Sequence, residues 1–188
     1  MPSEPPIPKP VTDRPEVRAL CERLVPGVIP VLLKVDAPPW AQPNDCIANV
    51  ESVIEIHGGT VEYGWQLWET WPGLLIEAEF HAVWADDEGR QHDVTPKAVP
   101  GIHQIVFLPD PQLAYEGRQI DNVRVPLKDD ALIREFIEAA GAFYEVTNRG
   151  ELADYHGGLT MTAEMQAILK RRTCLELAIL QKFYALPS

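Results

Sequence analysis

The 188-residue sequence predicts an α+β domain, an antiparallel sheet packed against a helix that starts at a cysteine, with further helices at the C-terminus. Three observations predict it. Residues 60–85 alternate apolar and polar side chains at the period of two that a strand with one buried face imposes. Residues 46–57 repeat at helical spacing instead, with Ile47, Val50, Val53 and Ile54 on one face. From Asp129 the texture changes to two helical stretches, 129–147 and 162–185. The order helix, strands, helices belongs to an α+β fold rather than to alternating α/β units. The expected division is a proline-rich arm over 1–13, a core over 14–128 and a helical extension over 129–188.

The elements follow in chain order. Eleven of the 18 prolines fall in the first 43 residues, so residues 1–13 read as an extended, stiffened arm. Pro15 to Leu24 is predicted helical, with Asp13 as N-cap and Pro26 beyond its end. Val28 to Asp36 is rich in β-branched residues and reads as a strand. Pro30 assigns it to a sheet edge, because proline has no N–H to give to a ladder. Ala37 to Asp45 is a loop ending on Asn44-Asp45, good helix-start chemistry for Cys46 to His57, which Gly58-Gly59 closes. Thr60 to Glu69 places Val61, Tyr63, Trp65 and Leu67 on one strand face. Leu75 to Ala85 places Ile76, Ala78, Phe80, Ala82 and Trp84 on an apolar face and leaves Glu77, Glu79 and His81 opposite. Asp86-Asp87-Glu88-Gly89 turns the chain into a partner strand over 90–94. Gln104 to Leu108 and Asn122 to Pro126 are further strands, with the breaker Pro109-Asp110-Pro111 between them.

Composition removes several function classes. With 28 acidic and 16 basic side chains the net charge is −12, which argues against a nucleic-acid partner, since phosphate backbones need a clustered positive field. The longest apolar stretch, Val28 to Val35, is far short of the ~20 residues of a membrane helix. The N-terminus has neither the basic nor the apolar region of a secretion signal. No membrane association and a cytoplasmic setting are therefore expected. Three cysteines without a CxxC pair give no disulfide framework and no zinc knuckle; Cys21 and Cys174 fall on apolar helix faces and read as core filler. No HxH or HxxxH spacing supports a metal, and no nucleotide, lipid or sugar signature points to a cofactor, so none is expected. Of the other histidines, His57 closes a helix as a dipole complement, His92 is expected exposed, and His103 and His156 lie in or beside loops.

Cys46 carries the chemistry. It stands in the first turn of a helix, where unpaired N–H groups and the helix dipole favour a thiolate. A thiolate needs a base or ion-pair partner, and His81 offers one from the polar face of a strand. Asp93 follows across the hairpin, placed to hold the second ring nitrogen. Cysteine, histidine and aspartate then supply nucleophile, base and orienter.

Four stretches carry a likeness: Cys46-Ile-Ala-Asn49, Gly58-Gly59-Thr-Val-Glu-Tyr-Gly64, His81-Ala-Val-Trp84 and Asp93-Val-Thr-Pro96. Together they resemble the transglutaminase-like core of the papain-like superfamily, over residues 44–96. This sequence differs in the residue inserted within His-Ala-Val-Trp and in Asp-Val-Thr-Pro where the family has Asp-Pro-Thr. The resemblance implies a thiol nucleophile that forms an acyl-enzyme with an amide or ester, resolved by water or an amine. It also implies an oxyanion site, for which the Cys46 N–H is one donor and Gln42, in the loop just ahead, a candidate second. Trp40, Trp68 and Glu79 are candidates for lining a substrate groove, Glu79 toward a cationic group. The expected function is a cysteine-dependent peptidase- or amidase-type hydrolase or an acyltransferase, acting on a peptide or small amide. The alternative is a non-catalytic binding module on the same fold. Its partner, or a second copy in a homodimer, would be held by an aromatic groove or by the apolar C-terminal helix, where Met165, Ile168, Leu169, Leu175, Leu177, Ile179 and Leu180 cover more than one stripe.

Overall fold

The computed structural model describes residues 6–154 and 159–184. His156, and the glycine pair expected between the last two helices, lie outside them. Seven strands and four α-helices are described: β1 (Lys9–Pro10), α1 (Pro15–Leu24), β2 (Val31–Lys34), α2 (Cys46–His57), β3 (Thr60–Trp71), β4 (Leu75–Ala85), β5 (Gln91–His92), β6 (Gln104–Pro109), β7 (Val123–Pro126), α3 (Ala131–Thr147) and α4 (Ala163–Tyr184), with a 3-10 turn at Gly150–Asp154. The fold is α+β. All the strands pair antiparallel in one sheet of order β2-β6-β3-β4-β5, with β1 also on β3 and β7 also on β4.

Two details of that sheet create the site. β4 pairs with β3 along its whole length, but its other edge is shared: Leu75 to Ala78 pair with β7, and Trp84 and Ala85 with β5. Glu79 to Val83 therefore have no strand partner on that side among the described residues. The sheet also curls until its two ends approach. A parallel bridge joins Val35 to Asp93, and the Asp36 N–H donates to the Asp93 carbonyl at 2.8 Å. Continuing the β4–β5 register (Trp84 opposite His92) by one step sets Asp93 opposite Val83, on the face that carries His81. Leu33, Val83, Ile105 and Phe107 fill the hollow of this face. The face expected to be polar is thus covered at its His81–Val83 end and open only toward Glu79.

α2 lies against the other face. Val50 and Val53 are buried with Ala82 and Val94, beside Val61, Tyr63 and Trp84. At about 1.5–3 kcal/mol for each fully buried valine, this contact fixes the helix and so its first residue, Cys46. The C-terminus is closed as expected, by Gly58, whose N–H donates to the Ile54 carbonyl. Gly59 and Gly64 are required by close approach. A Cβ on Gly59 would lie 2.3 Å from the Ala85 carbonyl oxygen, and one on Gly64 2.3 Å from that of Leu108 and 2.7 Å from the Phe107 ring.

The structure corrects several expectations. Arg14, not Asp13, is the N-cap of α1; Asp13 accepts from Arg18, while Arg14 reaches the fully buried Glu69 at 2.8 Å. Part of the proline-rich segment lies along the sheet. Lys9 and Pro10 add to β3 as a strand and Val11 is buried with α1, an edge position where a proline interrupts no ladder. Cys174 is exposed, because the α4 stripe that meets α3 runs through Leu175 and Ile179 and leaves residue 174 off it. That stripe is buried against Ile133, Phe136, Ala139 and Ala140, together with Trp71, Leu74 and Leu75. The apolar face offered for a partner or homodimer is thus largely used within the chain. His92 is half-buried, bonded to Asp86 at 3.0 Å and packed on the Trp84 ring. Among the described residues no helix is long and apolar enough to cross a membrane.

Candidate active site

The gap on the outer edge of β4 opens into a cleft of about 670 Å³. Cys46 forms part of its wall from the N-terminus of α2, and His81 part of its floor from β4. The approach to Cys46 is held by one side chain. Asn49, buried a turn into α2, accepts from the Gln42 N–H at 2.9 Å and donates to the Gln42 carbonyl at 2.8 Å. The same amide group lies 3.3 Å from Thr95 Oγ1, tying the loop ahead of Cys46 to the segment after Asp93. Asn44 takes a left-handed backbone (φ 62°), which asparagine tolerates better than most residues, and turns the chain into the helix. Asp45 occupies the N-cap, but its side chain bonds to no N–H of the first turn. The donors at the start of α2 are thus not taken up by their own cap.

The sequence-predicted nucleophile, base and orienter come together. His81 Nε2 is 3.0 Å from Asp93 Oδ1, and Cys46 lines the same cleft as the ring, near enough to favour its charged form. A carboxylate only accepts, so Nε2 carries the hydrogen, which leaves Nδ1 as the nitrogen free to take a proton. Asp93 lies behind the histidine with no exposure; its Oδ1 accepts also from the Thr95 N–H at 3.1 Å. Phe107 backs the imidazole edge-on, its ring centre 6.4 Å away, in space that Gly64 leaves free.

Lys97 was not anticipated. Its side chain is only 7% exposed, and its Nζ lies 2.7 Å from Asp93 Oδ2, 2.8 Å from Gln66 Oε1 and 3.5 Å from His81 Nε2. No periodicity marks it, because it sits in irregular chain after β5. The Asp-to-Lys spacing of four is the only trace in the sequence.

These charges set one another. Burial disfavours the charged imidazole, but the hydrogen bond to Asp93, the neighbouring Cys46 and the charge of Asp93 outweigh it and hold the His81 pKa above its usual value; Lys97 pulls the other way. Burial alone would raise the Asp93 pKa. The bond to His81, the charge of His81 and the Lys97 ammonium together hold it below the usual carboxylate range. Glu79 is open to water at the mouth of the cleft yet hemmed in by protein on most sides. That desolvation pushes its carboxyl up, against the pull of His81 and Lys97 and a bond from Trp68.

Among the groove candidates, Trp68 and Glu79 line the cleft and Trp40 does not; nor does Gln42, the oxyanion candidate. The Gln42 amide turns back to the Trp40 carbonyl at 3.0 Å and Trp40 is largely exposed, because Asn49 anchors the loop through the Gln42 backbone. Gln42 is therefore not placed to donate at Cys46. Glu77 is taken by Arg124 at 2.8 Å and by the Thr70 hydroxyl. Phe80 and Tyr115 also line the cleft and stack at 5.7 Å, with Tyr63 stacked on the other side of Phe80; sequence alternation had assigned Phe80 to the core face. Among the described residues no group of three or more His, Cys, Asp or Glu side chains is arranged to hold a metal. Compared with family models, curated proteins and solved structures, the chain has no match.

Proposed function

We propose that this chain is a cysteine-dependent acyl-transfer enzyme acting on amides or esters, most simply as a peptidase- or amidase-type hydrolase. The observation that carries this reading is the buried His81–Asp93 pair with Cys46 beside it on one cleft. The likeness of residues 44–96 to the transglutaminase-like core is consistent with it.

In this mechanism Cys46 Sγ bonds to the substrate carbonyl carbon and its proton passes to His81 Nδ1. Asp93 holds Nε2–H and stabilises the imidazolium that results. The carbonyl oxygen gains the negative charge and is met by the backbone N–H of Cys46, at a helix start whose N-cap side chain does not compete for it. The C–N bond then breaks and the leaving amine takes the proton from His81. Water attacks the thioester with His81 as base, and the C–S bond breaks to release the acid and restore the thiol. An amine in place of water would make the same site a transferase.

The test is to trap the acyl-enzyme. Brief exposure to p-nitrophenyl acetate, acid quench and peptide mapping should place the acetyl group on Cys46, with Cys174 as an exposed reference thiol in the same chain. Acetylation of Cys174 but not Cys46 would contradict the proposal.

A further inference from the structure

Lys97 is a buried cation that the acyl-transfer steps do not use. Asp93 has no exposure, and a buried carboxylate left alone would be costly, so it must be compensated at every stage of a reaction in which His81 gains and loses a proton. With His81 as its only charged partner, Asp93 would hold the imidazolium more strongly and make the proton harder to release. Lys97 changes this. Its Nζ holds Asp93 Oδ2 at 2.7 Å while Gln66 holds the ammonium at 2.8 Å, leaving Oδ1 for the histidine.

We propose that Lys97 is a positioning residue that keeps Asp93 charge-compensated independently of His81, so that the histidine both takes up and releases its proton. This deepens the acyl-transfer reading and rests on it. Lys97 touches no reacting atom in this scheme, since its contacts are Asp93 Oδ2, Gln66 Oε1 and the ring nitrogen that Asp93 holds. The titratable or charged groups facing His81 are Cys46 from α2, Glu79 from β4 itself, and Asp93 and Lys97 from the chain after β5. β3 presents Gln66 and Gly64, and β6 the Phe107 ring. Lys97 is the one permanent cation among them, so its removal strengthens the hold of Asp93 on the imidazolium.

The experiment is an NMR titration of the His81 ring in the full chain, assigned with His81→Gln. Lys97→Met should raise the midpoint by about one pH unit, a tenfold gain in proton affinity, and Lys97→Arg should restore it. Should Lys97→Met fail to fold, the pair Asp93→Asn and Asp93→Asn/Lys97→Met leaves no lone buried carboxylate. The double variant should then titrate at higher pH than Asp93→Asn alone. A midpoint that removal of Lys97 does not move in either background overturns the proposal, as does a downward shift. Where the order holds but Cys46 is not acylated, Lys97 does control His81 and it is the enzyme reading that fails.

Discussion

Replacing His81 by alanine is expected to slow acylation of Cys46 by about 10²–10⁴-fold, the range a positioned acid–base group supplies. The thiol would keep its place, because α2 is fixed by Val50 and Val53 against Ala82 and Val94 and not by the histidine. Asp93 would still be paired with Lys97 at 2.7 Å, so the fold should survive the change. The check is the rate of acetyl transfer to Cys46, with circular dichroism showing that helix content is unchanged. A folded His81→Ala protein that acylates at the wild-type rate would remove the histidine from the mechanism.

Asp93→Ala is expected to have the largest effect on stability, a loss of about 3–5 kcal/mol, because it leaves the Lys97 ammonium buried without its carboxylate. Its pH dependence carries a sign at each end. The Asp93 pKa is held low, so its contribution is present above the unfolded value of ~3.9 and is lost as pH falls through the depressed folded one. The His81 pKa is held high, so its contribution is complete below the unfolded value of ~6.5 and is lost as pH rises through the raised folded one. Urea unfolding across pH should therefore show wild-type stability declining on both flanks. In Asp93→Ala both slopes should flatten, the alkaline one because His81 has lost the partner that raised it. Equal stability and an unchanged pH dependence would show that Asp93 does not anchor this cluster.

What could be read from the sequence follows from how local each signal is. α2 and β4 fall on the expected bounds, Cys46–His57 and Leu75–Ala85, because the first is stopped by a glycine pair and the second announces itself by strict alternation. Asp93 was legible through the hairpin, since a turn at Asp86–Gly89 brings residues 92 and 93 back beside 84 and 83. Lys97 was not, because it sits in irregular chain after β5 and meets Gln66 and His81 from positions 31 and 16 residues away. Asn49 was quoted for its place in a motif, while its work as the clamp on Gln42 appears only once the loop is folded back on α2. Gln42 and Trp40 had been chosen for nearness along the chain, and that same clamp turns them away from the cleft. For a related reason, the composition of the proline-rich arm cannot show that β3 offers an edge for Lys9 and Pro10 to join.

If His81 and the start of α2 activate Cys46, the chain holds its own control in the exposed Cys174. Iodoacetamide at about pH 6, where an ordinary thiol of pKa ≈ 8.5 is almost wholly protonated, followed by mapping of both peptides, measures this directly. Cys46 is expected to be alkylated at least about tenfold faster than Cys174, although Cys174 is the more exposed. Alkylation of Cys46 at the rate of Cys174 or slower would contradict the account.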